Sequence, residues 1–240
     1  MIQITETVKH LIIINVIVFF ATKFVVPELA NVMAMHYIQN PQFRPWQIIT
    51  HMFMHGNEIH LLFNMIGLWM FGSVVEQILG KKKFLILYFV SGIGAVLLFE
   101  LIDYIHYHML INEFVSKGIS KNILMQIVET GKVSKDVLQL ISKEKLFKLI
   151  TINSKLLVGA SGALYGLMIA FSTIMPRAKM GLIFFPIMVE ARYYIPLLLL
   201  GDMFFGIFGN TNIGHFAHIG GAIAGFLIML NYKKNNQFRH

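Results

Sequence analysis

Long apolar stretches, separated mostly by short polar segments, dominate the chain. Their lengths approach the ~20 residues that a helix needs to cross ~30 Å of hydrocarbon. The predicted membrane-spanning helices cover residues 10–28, 57–79, 84–105, 156–175, 181–208 and 216–232. We therefore predict an all-α fold, a polytopic membrane protein with a six-helix bundle in one domain over residues 1–240.

The fifth apolar stretch is too long for a single span. The segment GLIFFPIMV is followed by the polar EARYY and only then by IPLLLLGDMFFGIF. We expect a re-entrant or interfacial piece up to about Arg192 and the spanning helix after it. Pro196 would then lie in the first turn of that helix, where its missing N–H breaks no helical hydrogen bond.

Residues 106–155 form a long insertion between the third and fourth spans. Apolar residues recur at helical spacing on both sides of the break ETGKVS, with Gly131 as a predicted helix stop and Ser134 as a predicted N-cap. Lysines on one face and Leu and Ile on the other are typical of a helix at a membrane surface. A small helical pair packed on itself fits the same pattern equally well.

The composition agrees with a membrane protein, because the chain is 56% hydrophobic and only 13% charged. Its mean hydropathy is +0.67, whereas a typical soluble domain has about 25% charged residues. The chain has no cysteine, which excludes disulfides, thiolate metal sites and a cysteine nucleophile. No convincing cleavage site follows the first apolar stretch, so we expect this helix to be retained.

The net charge of +8 is explained by short basic loops. Basic residues concentrate at 80–83, at 176–180 and after residue 232. With six spans, these segments and both termini share one side, which the positive-inside rule identifies as the cytoplasm. The insertion opposes this orientation, since it carries eight Lys against four acidic residues on the other side. No basic stripe is interleaved with aromatic residues, so we expect no nucleic-acid partner.

Several polar side chains lie within the predicted spans, where they are unfavourable and mark candidate functional sites. The second span begins with HLLFN, which puts His60 and Asn64 on one helix face. The fourth contains VGASGALYG, with Ser161 followed at i+4 by Tyr165. The sixth begins with GHFAHIGGAIAG, with His218 just inside the helix.

These residues have the chemistry of a serine hydrolase. Ser161 becomes nucleophilic if an imidazole takes its proton, and His218 is the candidate base. The two helices must then approach closely, which small residues allow in lipid. The small residues on these helices are Gly162, Ala163, Gly166, Gly221, Ala222 and Gly225. His60, Asn64 and the Ser161 N–H are candidate donors to an oxyanion. No acid lies near His218 in sequence, so we expect a Ser–His dyad.

Each residue also has a plain structural explanation: helix packing for the serine, and interfacial or interhelical hydrogen bonds for the others. A membrane metalloprotease is disfavoured, because HGNEIH is not HExxH and Glu58 is misplaced for a general base; we predict no metal. We expect His51 and His55 to hydrogen-bond within the first loop. A transporter would need paired buried charges. Asp202 is the isolated candidate in the fifth span, and we expect it to cap a neighbouring helix.

The segments HLLFN, GASGALYG and AHIGGAIAG resemble, in order, the HxxxN, GxSG and AHxxGxxxG signatures of the rhomboid family of intramembrane serine proteases. The resemblance covers the chain from about Trp46 onward. It implies that Ser161 is the nucleophile and His218 the general base. The supporting residues are His60 and Asn64 at the oxyanion, Tyr165 packed on His218, and Gly159, Gly162, Gly221 and Gly225.

The resemblance further implies substrates that are membrane proteins with a transmembrane helix, cut near the outer leaflet of the bilayer without a cofactor. The expected location is a bacterial plasma membrane, with the active site and the insertion outside. By the same resemblance, Glu76 ties the cytoplasmic end of the second span. We expect the end of the fifth span and residues 209–214 to form a mobile gate and cap, with Gly206 and Gly209 supplying flexibility.

Two features depart from the family pattern. Gln47 follows Trp46 where family members often have Arg, which removes a residue that braces the first loop. The 106–155 insertion is longer than a simple connection, and we expect it either to affect substrate access or to be merely tolerated. The alternative function is a non-catalytic rhomboid-like protein that binds membrane proteins. Such relatives typically lose the Ser or the His, and this chain keeps both.

Overall fold

The computed structural model describes residues 3–182, 185–209 and 214–235, and this part of the chain is mostly helical. In chain order its helices are α1 (Glu6–Phe20), α2 (Leu29–Met33), α3 (Gln47–Thr50), α4 (Glu58–Gly67), α5 (Ser73–Leu79), α6 (Lys81–Ser116), α7 (Lys121–Thr130), α8 (Lys135–Leu140), α9 (Lys143–Ser154), α10 (Ser161–Ile174), α11 (Ala191–Phe208) and α12 (His215–Lys234). Turns of π-helix extend α1 (Ala21–Val25) and join α4 to α5 (Leu68–Gly72), and a 3₁₀ turn (His51–Phe53) follows α3.

Five helical stretches among the described residues are long and apolar enough to cross a membrane. They are α1 with its π-helical turn, α4 with α5, α6, α11 and α12. The prediction of a polytopic helical membrane protein is confirmed at this level. Helix α10 is apolar but has only 14 residues, about 21 Å at ~1.5 Å per residue, and is shorter than the predicted span 156–175.

Two short strand pairs correct the all-α prediction. Strands β1 (Met35–His36) and β2 (Leu156–Leu157) pair antiparallel, which is why α10 does not begin at residue 156. Strands β3 (Lys179–Leu182) and β4 (Phe185–Glu190) form a hairpin before α11. The hairpin occupies most of the segment, up to about Arg192, for which a re-entrant or interfacial piece was expected.

Helix α11 begins earlier than expected, at Ala191. The N–H groups of Ala191 and Arg192 donate to the carbonyl oxygens of Ala178 and Pro176, at 2.9 and 3.1 Å, and so fix the start of the helix. Pro196 therefore lies in the second turn, and its predicted place in the first turn is wrong.

The insertion begins within α6, which continues for 36 residues as one helix past the predicted span end at residue 105. Helices α7, α8 and α9 pack against the far end of α6 around a buried apolar cluster that includes Phe114, Leu124 and Leu149. The Ser134 hydroxyl caps α8, and Gly131 ends α7 in the left-handed conformation, so both predicted helix signals are confirmed. Of the two alternatives, the unit packed on itself agrees with the structure, with three short helices instead of two.

Helices α6, α10 and α12 pack through small residues. A Cβ added to Gly221 would lie 1.9 Å from the Gly162 carbonyl oxygen, and one added to Gly225 would lie 2.5 Å from Gly166 Cα. On the other side of α10, a Cβ on Gly162 would lie 2.4 Å from the Ala95 Cβ. The backbones are therefore in direct contact, which brings the start of α10 against the start of α12.

The first turn of α5 is tied to the start of α1. The Glu76 carboxylate is buried and accepts hydrogen bonds from the Thr5 hydroxyl and, at 3.2 Å, from the Val8 N–H. A buried carboxylate is stable only with such partners, so this contact fixes the two helix ends together.

Candidate active site

Ser161 is the first residue of α10. The preceding turn depends on Gly159, whose φ of +123° is a conformation that L side chains rarely adopt. The Gly159 N–H donates to the His51 carbonyl oxygen at 2.9 Å, which anchors the turn to the 3₁₀ turn after α3. Ser161 consequently lies at a helix N-terminus, where the first backbone N–H groups have no helical partner.

The structure brings Ser161 and His218 together across the α10–α12 contact. The Ser161 Oγ and the His218 Nε2 are 2.9 Å apart, although the residues are 57 positions apart in sequence. Both residues are partly buried. A serine hydroxyl that donates to an imidazole nitrogen is the arrangement in which the imidazole can take the proton.

Asp202 on α11 contacts His218, a contact that the sequence did not predict. Its Oδ2 lies 3.1 Å from the His218 Nδ1, and its Oδ1 lies 2.6 Å from the His215 Nδ1. Asp202 does not act as the predicted helix cap, because its carboxylate contacts two imidazoles. The expectation of an isolated Ser–His pair therefore omitted a carboxylate.

The carboxylate determines the tautomer of His218. An ionised carboxylate accepts hydrogen bonds only, so the Nδ1 of His218 carries the proton that faces Asp202. The Nε2 lone pair of the neutral ring then faces the Ser161 hydroxyl. This is the protonation pattern that a general base needs.

The ring of Tyr165 lies against His218. Their ring centroids are 4.4 Å apart, and their planes are within 6° of parallel. Tyr165 is one turn after Ser161 on α10, so the helix that carries Ser161 also supports the imidazole. The stack and the hydrogen bond to Asp202 together hold the plane and the rotation of the His218 ring.

His60 lies beside the turn that leads to Ser161. A Cβ added to Gly159 would be 2.8 Å from the His60 Nε2, so only glycine leaves room for this ring. The His60 Nδ1 accepts from the Gly56 N–H at 3.4 Å, which leaves the proton of the neutral ring on Nε2, toward Gly159. The buried Asn64 amide donates to the His60 carbonyl at 2.9 Å and has a second N–H.

Gln47 stabilises the first loop through hydrogen bonds, although family members often have Arg at this position. Its side chain is fully buried, and its Oε1 accepts from the His36 N–H at 3.3 Å and the Arg44 N–H at 3.1 Å. Its Nε2 donates to the Gln42 carbonyl at 3.2 Å. A neutral amide, which both donates and accepts, can bond backbone groups of both kinds in a way that a guanidinium cannot.

Two further histidines of this loop are buried. The His51 Nδ1 bonds to the Gln47 carbonyl at 3.0 Å, which confirms its expected place in the loop. Burial lowers the pKa of His51 to about 4. Burial, together with the neighbouring His60, lowers the pKa of His55 to about 3. Both imidazoles are therefore neutral near pH 7.

The described residues include only part of the predicted gate and cap. Phe204, Phe205 and Phe208 are exposed at the end of α11. Gly206 packs closely on α12, since an added Cβ would lie 3.0 Å from the His215 Cβ. Of the predicted cap 209–214, residues 210–213 lie outside the described residues.

One cluster could hold a metal ion. It consists of one carboxylate and two imidazoles, those of Asp202, His215 and His218. One potential ligand atom from each side chain lies within 4.8 Å of the other two. Within the described part of the chain, this is the group of three His or carboxylate residues that meets this criterion. Imidazole and carboxylate donors in this number suit Zn²⁺.

Residues 42–235 match the sequence profile of the Rhomboid domain, which covers most of the chain. The chain belongs to the rhomboid family. It is 25% identical over 223 residues to presenilin-associated rhomboid-like protein A, mitochondrial, of Danio rerio, and 26% identical over 225 residues to presenilin-associated rhomboid-like protein, mitochondrial, of Homo sapiens. Each match covers 92% of this chain and 46% of the relative, so the chain spans about half the length of these curated relatives.

A bacterial rhomboid relative matches a shorter segment. The chain is 38% identical over 52 residues to rhomboid protease GlpG of Salmonella choleraesuis (strain SC-B67), which covers 22% of this chain and 19% of that protein. Homology to rhomboid proteins is therefore distant over the full length and stronger only locally.

Proposed function

We propose that this chain is an intramembrane serine endopeptidase, which hydrolyses peptide bonds in the transmembrane segments of other membrane proteins. The observation that carries the proposal is a line of hydrogen bonds: Ser161 Oγ to His218 Nε2 at 2.9 Å, and His218 Nδ1 to Asp202 Oδ2 at 3.1 Å. Membership of the rhomboid family and a relative named as a rhomboid protease support this class of reaction.

In the acylation step, the Ser161 Oγ attacks the carbonyl carbon of the substrate peptide bond, and its proton moves to the His218 Nε2. Asp202 keeps the proton on Nδ1 and stabilises the imidazolium that forms. The tetrahedral intermediate collapses as its C–N bond breaks. His218 gives the proton to the leaving amine, and the acyl group stays on Ser161 as an ester.

The oxyanion of this intermediate lies near two donors. The Ser161 N–H is free of helical partners at the start of α10, and the His60 Nε2–H lies beside Gly159. Asn64 has a second amide N–H one turn further along α4. Preorganised donors of this kind each contribute roughly 10²- to 10³-fold to turnover. In deacylation, water attacks the ester with His218 as base, which releases the carboxylic acid product and restores Ser161.

The arrangement in the membrane follows from the charges at the helix ends. We assign α10 as the fourth of six spans, in addition to the five longer helical stretches; it is buried in the middle of the bundle, so a short helix suffices there. Basic residues occur at the start of α6, between α10 and α11, and at the end of α12. They support an orientation with those helix ends and both termini in the cytoplasm. Ser161 and the 106–155 insertion are then outside, within one domain over residues 1–240. A bacterial plasma membrane is the location that we assign.

The substrate reaches Ser161 beside α11. Its helix must unwind locally before a peptide carbonyl can accept attack, so segments with helix-destabilising residues and a small side chain at the cut are preferred. Helix α11 is the candidate gate, because only 11% of its residues are buried within the protein. The corresponding share in the apolar stretch of α12 is 44%.

The test is cleavage of a tagged single-span substrate by purified full-length protein in proteoliposomes. We expect Ser161→Ala and His218→Ala each to lower the rate at least ~10³-fold. Ser172→Ala is the matched control, since this serine lies on the same helix and its hydroxyl bonds only to the Ile169 carbonyl among described contacts, at 3.1 Å. Cleavage that persists in the Ser161 variant would refute the proposal.

A further inference from the structure

The carboxylate of Asp202 contacts two imidazoles, whereas a catalytic serine needs only one imidazole as its base. His218 occupies one oxygen, and His215, the first residue of α12, occupies the other at 2.6 Å. The mechanism above gives His215 no role. We propose that Asp202, His215 and His218 form a Zn²⁺ site that reversibly inhibits the enzyme.

The donor set and its geometry fit zinc. Two imidazoles and one carboxylate with an open fourth position are a known ligand set for this metal. Tetrahedral bonds of ~2.0–2.2 Å place ligand atoms roughly 3.3–3.6 Å apart. The three side chains already lie within 4.8 Å of one another through their ligand atoms, so shifts of about an ångström complete the shell.

The surroundings of the cluster also favour a divalent cation. The side chains of Asp202, His215 and His218 are only 11%, 8% and 13% exposed. The Asp202 carboxylate gives this shielded cluster a negative charge. Because electrostatic attraction is stronger at low dielectric, the charge of a metal ion is an effective counterion there. The cluster lies within two turns of the end of α11 and at the start of α12, the same end of the bundle as Ser161.

Inhibition follows from the tautomer of His218. A neutral imidazole has one proton and one lone pair. When Zn²⁺ takes the Nδ1 lone pair, the proton must sit on Nε2. That nitrogen then donates toward the Ser161 Oγ and can no longer accept its proton, so the general base is lost. The proton moves between two nitrogens of one ring, and no other reactant is needed.

The metal site itself is independent of the proposed function, whereas its inhibitory effect depends on it. Binding is therefore measured separately from activity. The probe is Zn²⁺ alone in a metal-buffered titration of the full-length protein in detergent, with Co²⁺ absorption as a second readout of ligand geometry. Ser161→Ala, which is inactive under the proposal, is expected to bind one Zn²⁺ per chain.

His215→Asn is expected to weaken Zn²⁺ binding roughly 10²-fold and to raise the half-inhibitory concentration by the same factor, with each variant compared with its own metal-free rate. His215→Gln is the second variant in case the first does not fold. His108→Asn is the matched control, since this histidine lies on α6 and contacts Gln39. Ca²⁺ and Mg²⁺, which prefer oxygen ligands, are expected to leave activity unchanged.

Absence of one-to-one binding in folded wild type, or unchanged affinity in both His215 variants, would overturn the site. Binding without any loss of the cleavage rate would overturn the inhibitory mechanism. Zinc binding that persists in a protein without any serine-dependent cleavage would support the metal site and count against the proposed protease.

Discussion

Helices α11 and α12 both carry groups that hydrogen-bond around His218, but the two helices are held in the bundle very differently. Backbone contacts through Gly221 and Gly225 press α12 against α10. Only 11% of the residues of α11 are buried within the protein, against 44% of the residues in the apolar stretch of α12. Ser161 and His218, the proposed nucleophile and base, thus lie on two closely packed helices, while Asp202 is on a loosely packed helix.

Because of this difference, the two hydrogen bonds of His218 depend on different helix contacts. Contact between Ser161 and His218 is made across the closely packed α10–α12 interface. Contact of His218 with Asp202 depends on the position of α11, which we propose as the gate. Movement of α11 away from the bundle would admit a substrate segment and release His218 from the carboxylate that determines its tautomer. Return of α11 would restore the base.

The largest effect is expected from closing the gap between α10 and α12. Gly221→Ala puts a Cβ 1.9 Å from the Gly162 carbonyl oxygen, so the two helix starts must separate. A displacement of about 1 Å between reacting groups lowers rates roughly 10²-fold, so we expect a loss of at least about 10²-fold in cleavage together with a lower unfolding temperature.

Gly201→Ala is the matched control on the loosely packed helix. An added Cβ there meets nothing within 4 Å. Because alanine favours helix over glycine by up to ~1 kcal/mol, we expect unchanged or slightly increased stability and activity within about twofold. Equal losses in the two variants would remove the distinction between the two helices.

The next effect concerns Asp202. Asp202→Ala removes the acceptor for His218 Nδ1, and we expect kcat to fall about 10²-fold with little change in KM, because the carboxylate acts through the base. Asp202→Asn keeps the shape of the side chain, but its amide can also donate to Nδ1 and no longer determines the tautomer, so we expect it to lose at least as much activity as the alanine variant. A purely structural role would instead lower the folded fraction and leave kcat per folded molecule unchanged.

Much of this picture could be predicted from the sequence. Long apolar stretches determine the spans, and three motifs identify residues that the fold brings together. The contact between Asp202 and His218 could not be predicted. The two residues are 16 positions apart and lie on different helices, so helical periodicity does not relate them. The available signal was a carboxylate in an apolar span, which needs a partner there.

Element ends were the least predictable feature. The true start of α10 depends on the pairing of Met35–His36 with Leu156–Leu157, a contact between distant segments that leaves no local pattern. The start of α11 likewise depends on hydrogen bonds to Pro176 and Ala178. Gly131 and Ser134 were identified correctly because their effects are confined to one turn of helix.

A smaller effect is expected in the first loop, which supports the fixed side of the site. The pKa values of His51 and His55 lie below the ordinary 6.5, so the unfolded chain binds more protons below that pH. Stability is therefore complete above about pH 6.5 and decreases as pH falls toward 4, by ~1.4 kcal/mol per pH unit for each group.

Hydrogen exchange of the loop at pH 7 and pH 5 would measure this effect. Protection of the backbone N–H of Gly159, which bonds to the His51 carbonyl, should fall at the lower pH after correction for intrinsic exchange rates. His51→Gln keeps a donor but does not titrate, and should show a smaller decrease. Identical protection at both pH values in wild type would show that these histidines do not govern the loop.

The smallest effect is expected at the aromatic support of His218. Tyr165→Leu loses a stack of the kind worth ~0.5–1.5 kcal/mol, so we expect roughly a 3- to 10-fold lower kcat. Tyr165→Phe keeps the ring 4.4 Å from the imidazole and loses only the hydroxyl that bonds to Asp202, so it should lose less activity than the leucine variant. Equal losses in both variants would assign the effect to the hydroxyl group and not to the stack.

The most direct measurement for the account is covalent labelling with a fluorophosphonate probe, followed by peptide mapping of the modified residue. Contact between Ser161 and His218 predicts a single adduct on Ser161 in folded wild type and no adduct in Ser161→Ala or His218→Ala. An adduct on any other serine, or none on Ser161 in folded protein, would contradict the claim that these two helices hold an activated nucleophile.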